Sequence, residues 1–507
     1  MTRATPDEIR ARFAPLQARL RSLFQRLKDD AGAPRTVVVV PGLSLDPEVL
    51  ATIGAARHYE ERMLSMLMLL RMPRTRIVFV TSTPLAPSVV DYYLHLLSGV
   101  PTAHARSRLM LFSANDASAR SLTAKLLERP RLIQRIRAAI GDPAQAHLSV
   151  FNATHLERDF ALALDIPLYG CDPELAYWGT KSGSRTAFRR AGVMAPEGCE
   201  NLRDMSDVAG ALTDLRWRNP QLRRAVVKLD EGFSGEGNAI FDFRDAPDGP
   251  ALAAWVRGHL RDQLRFESTL MGFEAYAAKF QELGGIVESW IEGEEKHTPS
   301  VQLRVNALGE LETISSHEQV MGGPSGQIFL GSRFPADVSY RRTLHHESRK
   351  VGAILQAEGV LGRFSIDWVS VRTDHGWRHD AIEINLRKGG TTLPYQMLQY
   401  LTAGRIDEET GAFRTPLGQE RCYRATDNLI DQRLRRLIPE DLMDILVERH
   451  LHFDETTQKG VVFSLMSALS EHGKLGLVAI AATPEDADAL YDETVAVVLE
   501  EAEATRA

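Results

Sequence analysis

Cysteine is scarce in this sequence. Only Cys171, Cys199 and Cys422 occur in 507 residues, far apart and outside any CxxC spacing. That excludes a disulfide framework or a zinc finger and suits a reducing compartment. Long apolar runs are missing as well. The greasiest stretch, Met63 to Leu70, is interrupted by Ser65 and followed by Arg71 and Pro73. A bilayer span needs about 20 apolar residues, so these methionines read as core. An excess of one charge is also lacking: 60 Lys+Arg stand against 67 Asp+Glu, a net of −7. No global field therefore draws the chain to nucleic acid or anionic lipid. The imbalance is local. Glu485, Asp486, Asp488, Asp492, Glu493, Glu500, Glu501 and Glu503 are set against Arg506 alone in residues 481–507, and the rest of the chain is neutral.

What is present is an ordinary globular composition, 44% hydrophobic and 25% charged with Gly 37 and Pro 24. It excludes a disordered tail, a collagen-like repeat and a coiled-coil rod. Repeats and low-complexity tracts are absent. The opening MTRATPDEIRARF has two acids and no apolar core, so it does not read as a signal peptide. The expectation is a soluble, cytoplasmic protein that contacts neither membrane nor nucleic acid. Its length allows about three or four domains.

Helical spacing of Ile9, Phe13, Leu16, Leu20, Leu23 and Leu27 predicts a helix from Pro6 to Asp30. Strands are then expected at Thr36–Gly42, Arg76–Ser82, Leu109–Ser113 and Leu148–Asn152, with helices at Ala117–Glu128 and Pro130–Ile140 between them. Such alternation implies an open parallel sheet covered on both faces. From Tyr169 to Thr402 the sequence turns to glycine loops, hairpin signals and clustered carboxylates. A turn-rich stretch, Asp407 to Thr415, precedes a small α/β segment: helix Pro439–Arg449, strands Gly460–Leu465 and Leu475–Ala481, helix Pro484–Glu501.

The chemistry concentrates in the middle. Ala225-Val-Val-Lys228 is a strand that presents a lysine and runs into a tip carrying Gly232, Gly235 and Gly237. Glycines leave backbone N–H groups able to wrap an anion, and a lysine at the base neutralises phosphate. No Gly-Lys-Ser/Thr follows, so this is not a P-loop. By itself it reads equally as a plain hairpin or a phosphate lid, and Lys181 alone reads as a surface lysine. Gly285 to Glu295 is a strand giving way to acids, as an adenosine site would need.

The sharpest set is Asp367 on one strand with Glu383 and Asn385 on the next. Residues two apart in a strand share a face, so Glu383 and Asn385 point together with Ile382, Ile384 and Leu386 buried behind them. Three hard oxygen donors beside Arg387-Lys388-Gly389-Gly390 fit a Mg²⁺–phosphate site. His345-His346-Glu347 lacks the second histidine of HExxH, so zinc is not expected.

In this order the motifs resemble the ATP-grasp superfamily of carboxylate–amine ligases over residues 170–405. The resemblance rests on KSGSRTAFRRAGVMAPEG, VVKLDEGFSGEG, VESWIEGEE, SIDWV and EINLRKGG. The wider layout is similar to the pheganomycin-type peptide ligases, through EINLRKGGTT and GVVFSLMSALSEHGKLGLVAI. It implies an α/β and α+β multidomain chain. An N-terminal helix plus parallel α/β (pre-ATP-grasp) domain would occupy residues 1–169, the ATP-grasp domain 170–405 and a small C-terminal α/β domain 406–507.

The resemblance also implies roles. Lys181 and Lys228 would contact ATP phosphates, with Lys228 and Arg387 catalytic and Arg387 facing an acyl phosphate. Gly232, Ser234, Gly235 and Gly237 would close over the nucleotide. Glu288, Trp290 and Ile291 would hold adenine and Glu295 the ribose. Asp367, Glu383 and Asn385 would hold two Mg²⁺, with Mn²⁺ as the substitute. Arg304, Arg333, Lys388 and Gly389 are the substrate-side expectations, the arginines because guanidinium engages carboxylate bidentately. Leu393 stands where many relatives have histidine. The implied reaction joins a small-molecule or peptide carboxylate to an amine through an acyl phosphate, releasing ADP and phosphate, with a homo-oligomer allowed. A ligase or carboxylase for a non-peptide metabolite, and an ATP-binding module without catalysis, stay open as alternatives.

Overall fold

A computed structural model describes residues 5–45, 47, 50, 53–232, 237–267, 271–322, 326, 328–407 and 410–504. The chain begins with helix Pro6–Asp29, whose first turn is closed by a reciprocal cap. The Thr5 hydroxyl accepts from the Glu8 N–H, and the Glu8 carboxylate accepts from the Thr5 N–H. Its stripe of Phe13, Leu16, Leu20 and Leu23 is buried.

Among the described residues, five parallel strands follow in the spatial order Leu109–Ser113, Thr75–Thr81, Arg35–Val40, Ala146–Val150, Leu168–Tyr169. The valine run explains the burial on both faces. Val37 and Val39 enter one core while Val38 and Val40 enter the other. Strand order reverses between Arg35–Val40 and Ala146–Val150, which leaves a crevice at their carboxyl ends. The Met63–Leu70 stretch lies in helical segment Ala56–Arg71, buried as expected, but Glu60, Glu61 and Arg62 are buried with it.

A second sheet, antiparallel, has the order Gly198–Leu202, Gly285–Ser289, Arg224–Leu229, Asn238–Asp242, Leu264–Phe266. The third and largest is built on Gly362–Thr373, paired on one side with Gly376–Asn385 and on the other with Pro299–Val305. It continues through Leu311–Gly322 and Ile328–Phe334 into Cys422–Ile430, Lys474–Ala481 and Gly460–Ser464. The C-terminal strands thus extend the central sheet. Helix Pro484–Ala504 covers them, and its acids meet arginines: Asp488 with Arg333 at 2.9 Å, Asp492 with Arg424 at 2.9 Å, Glu501 with Arg449 at 2.6 Å and Glu503 with Arg433 at 2.8 Å. No helix among the described residues is long and apolar enough to cross a membrane.

Candidate active site

A cleft of about 590 Å³ lies between the second and third sheets. Its floor is strand geometry. Asp367 sits opposite Glu383 in one register and opposite Ser300 in the other, and Ser365 sits opposite Asn385. The Ser300 hydroxyl donates to Asp367 Oδ1 at 2.6 Å. Asn385 Nδ2 donates to Asp367 Oδ2 at 2.9 Å and to Glu383 Oε1 at 3.1 Å. The expected trio is therefore in mutual contact. Strict alternation does not hold around it, because a bulge between Asp367 and Trp368 shifts the register, leaving Ile382 on the cleft wall and only Ala381 and Ile384 fully buried.

Burial and the adjacent Glu383 carboxylate push Asp367 above the usual carboxylate range. Burial would raise Glu383 too, but the Lys181 ammonium, Lys228 and the Asn385 amide together outweigh it and hold Glu383 below the usual carboxylate range. Two carboxylates and an amide that crowd in this way are a hard-oxygen donor set, and they fit Mg²⁺.

Lys181 reaches this trio by an ion pair with Glu383. It opens helix Lys181–Ala191, whose first turn is fixed on three sides. The Thr180 hydroxyl accepts from the Gly183 N–H at 2.9 Å, the Asp230 carboxylate from the Ser182 N–H at 2.7 Å, and the Asp230 carbonyl from the Lys181 N–H at 3.1 Å. Gly183 is obligatory, since a Cβ there would lie 1.8 Å from the Tyr177 carbonyl oxygen. Lys228 enters from the second sheet, opposite Ile286, so that Glu288 is its diagonal neighbour on the same face. The two form a buried ion pair, and the second oxygen of Glu288 takes Arg185 at 3.3 Å. Glu288 thus grips two cations beside the expected adenine position.

Trp290 and Ile291 line the cleft. Arg224 Cζ and Lys296 Nζ each lie 4.8 Å from the centroid of the indole, and Glu292 pairs with Arg224 at 2.6 Å. Glu295 is exposed and does not line the cleft; its carbonyl accepts from Arg372 at 3.0 Å. Gly232 and Gly237 are on the lining, whereas Ser234 and Gly235 lie outside the described residues. The Tyr276 hydroxyl pins the hairpin base by donating to the Val227 and Gly237 carbonyls at 3.1 Å each.

Arg387 and Gly389 complete the expected wall. Burial lowers the Arg387 pKa. Lys388, expected at the substrate, turns away. Its N–H donates to the Phe151 carbonyl at 3.1 Å and its ammonium to the Val150 carbonyl, which plugs the crevice of the parallel sheet. Burial, then the charge of Arg363, brings Lys388 down to about 7. Arg304 and Arg333 are not on the lining either. Arg304 pairs with Glu312, its Nε at 2.9 Å, and Arg333 pairs with Asp488 of the C-terminal helix.

Several cleft residues escaped sequence reasoning: Ser300, Lys296, Arg62, Asp427 and Lys474. Ser300 is identifiable only through register. For Arg62 the visible signal was a Glu-Glu-Arg triplet abutting an apolar run.

Comparison with known proteins bears on the fold that carries this cleft. A family profile described as "IQCH-like, ATP-grasp" matches residues 173–248 and 250–409. Residues 173–409 thus match an ATP-grasp profile almost without a break. A second profile, "PGM1 C-terminal domain", matches residues 441–494 beyond it. The chain is 29% identical over 468 residues to L-propargylglycine–L-glutamate ligase of Streptantibioticus cattleyicolor, covering 89% of this chain and 92% of that one. It is 23% identical to IQ motif-containing protein H of Danio rerio, covering 96% of this chain but only 50% of that protein. The fold is similar to an ADP complex of N5-carboxyaminoimidazole ribonucleotide synthetase (TM-score 0.52, 13% identity, 93% and 98% covered). It is also similar to biotin carboxylase from Campylobacter jejuni (TM-score 0.53, 13% identity, 94% and 96% covered). The residues that this ATP-grasp profile matches include both lysines, Arg387 and the oxygen trio. Arg62, Asp427 and Lys474 come from the flanking segments.

Proposed function

We propose that the protein is an ATP-dependent carboxylate–amine ligase that forms an amide through an acyl phosphate and releases ADP and phosphate. The observation that carries this reading is the convergence in one cleft of Lys181, Lys228, Arg387 and the Asp367–Glu383–Asn385 trio. The S. cattleyicolor relative supports it, since its name describes the joining of two amino acids. Amino acids or short peptides are accordingly the substrate class.

Lys228 and Lys181 neutralise the phosphates of ATP, and Trp290 and Ile291 wall the base. A substrate carboxylate attacks the γ-phosphorus and ADP leaves. Arg387 balances charge on the transferring phosphoryl group and then on the acyl phosphate, whose phosphate the amine displaces. Asp367, Glu383 and Asn385 would hold two Mg²⁺, or Mn²⁺ in their place, and the metal would supply charge neutralisation and alignment of the phosphates. Gly232 and Gly237 frame the hairpin that excludes water from the acyl phosphate. We take residues 1–169, 170–405 and 406–507 as the working units of this ligase, operating in the cytoplasm where ATP and amino acids are supplied.

The test is direct. Purified protein with ATP, Mg²⁺ and pools of amino acids is expected to yield ADP, phosphate and a new amide, read by mass spectrometry. ATP binding without product from any pool would leave a nucleotide-binding module instead. Carboxylation of an amine in the presence of bicarbonate would move the chain to the carboxylases.

A further inference from the structure

Outside the ATP-grasp domain one charged side chain in the cleft is incompletely satisfied. Arg62 projects from Ala56–Arg71 and is only 7% exposed. Its guanidinium carbon lies over two rings, Cζ being 4.1 Å from the Tyr59 centroid and 4.5 Å from that of Phe151. Nη1 donates to Asp427 at 3.1 Å, but Nε and Nη2 have no hydrogen-bond partner among the described residues. A buried guanidinium with unmade bonds is costly, and adjacent Nε and Nη2 donors are the fork that matches both oxygens of a carboxylate.

The surroundings also want an anion. Lys474 Nζ lies beside it, donating to the Tyr59 hydroxyl at 2.6 Å and to Asn428 at 2.7 Å. Arg62 and Lys474 are two cations against the single carboxylate of Asp427, and all three line the same cleft as Arg387. Arg62 is close enough to Arg387 to depress its pKa. None of the three lies in residues 173–409, where the nucleotide machinery is.

We propose that Arg62 anchors a carboxylate that does not react: the free α-carboxylate of an amino-acid or peptide substrate, held beside Arg387. This rests on the ligase reading above and adds to it the feature by which the substrate is selected. The carboxylate belongs to the amine partner, or to an acid partner that carries a second carboxyl group for activation. An Nε/Nη2 fork rewards a planar, bidentate anion over a carboxamide.

The experiment has two arms, both on the full chain. In the first, the productive substrate pair is assayed with each carboxylate that stays free in the product replaced in turn by its amide, the activated carboxylate being left intact. One partner, which identifies the source, is expected to show KM raised about 10- to 100-fold. Arg62→Gln should raise KM for that partner's free acid by a similar factor and abolish the acid–amide discrimination. The KM for ATP should be unchanged, and Arg62→Lys should fall between. Equal use of amides of both partners by the wild type, or full discrimination retained by Arg62→Gln, overturns the proposal. In the second arm, common L-amino acids and their α-amides are titrated calorimetrically into protein with ADP and Mg²⁺, which needs no turnover. Acid-selective binding lost in Arg62→Gln supports the subsite even if no ligation is found, and that combination would count against the ligase reading alone. Binding that does not distinguish acid from amide, or no binding of any acid, overturns the subsite.

Discussion

Lys228 and Glu288 sit diagonally on neighbouring antiparallel strands and pair with side chains only 6% and 3% exposed. Glu288 also takes Arg185, so one carboxylate neutralises two buried cations and aims the lysine at the cleft. A buried pair broken from one side leaves an uncompensated charge, at a cost of about 3–5 kcal/mol. Glu288→Ala is therefore expected to lower the urea midpoint clearly and raise the KM for ATP. Lys228→Met, which removes a charge but keeps the stem, is expected to abolish ligation at a smaller cost in stability. Equal activity of Lys228→Met and wild type would remove Lys228 from the phosphate site.

The oxygen trio makes a second prediction. Asp367, Glu383 and Asn385 already share hydrogen bonds, so loss of one member changes charge more than shape. Glu383→Gln is expected to reduce kcat by about 10²–10³, the scale for removing one preorganised electrostatic group, while circular dichroism stays that of the wild type. Raising Mg²⁺ should recover part of the loss if the lesion is in metal affinity. Normal turnover at low Mg²⁺ would sink the assignment.

Much of this was legible in the sequence because it is local. Helix Pro6–Asp29, the valine strand and the helix Pro130–Ile140 follow from periodicity and capping within a few residues. The Glu383/Asn385 pair follows from the two-residue repeat of a strand. What failed to show was long-range. Ser300 faces Asp367 only through strand register, and the bulge that turned Ile382 into the cleft leaves no mark in the alternation of apolar residues. Arg333 read as a substrate ligand because a guanidinium engages a carboxylate bidentately; its partner, Asp488, is 155 residues away. The acidic tail explains itself the same way, as counter-charge to arginines of the central sheet and the elements beside it.

The two discounted arginines give a third prediction. Arg333 and Asp488 are 41% and 34% exposed, and pairs of that kind contribute about 0–1 kcal/mol. Arg333→Ala should lower stability by no more than that and leave kcat and both substrate KM values unchanged. Arg304→Ala should likewise leave substrate KM unaltered. A rise in substrate KM for either variant, at unchanged stability, would return that arginine to the active site.

Gly183 tests how Lys181 is positioned. A methyl there would collide with the Tyr177 carbonyl, which belongs to the backbone and has no rotamer to yield. Gly183→Ala is expected to cost on the order of 3 kcal/mol through overpacking. It should also displace the first turn that carries Lys181, so the KM for ATP should rise. An unchanged melting temperature would mean that the turn is softer than its three backbone anchors indicate.

The last prediction concerns pH and comes from the parallel-sheet side. Glu60 is 6% exposed, accepting from the Ser82 N–H at 2.7 Å and the Ser82 hydroxyl at 2.6 Å, and burial pushes it up to about 7. Glu61, 2% exposed, is raised to about 7 by the same cause. A carboxyl whose folded pKa exceeds its unfolded value binds its proton more tightly in the folded chain. Its contribution to stability is complete below about 4.3, the unfolded value, and is lost as pH rises through about 7. The wild type is thus expected to lose stability across that window through these two groups, whereas Asp116 and Asp431, which hydrogen bonds hold low, change the stability only below it. Glu60→Gln keeps an acceptor for Ser82 without a charge to bury, so it should be more stable than the wild type at pH 8 and should gain nothing at pH 4. Thermal melts of both proteins from pH 4 to 8 read the difference directly. A gap between the two that does not widen with pH would mean that Glu60 is ionised throughout, held so by the Lys125 ammonium that donates to the same Ser82 hydroxyl at 3.1 Å.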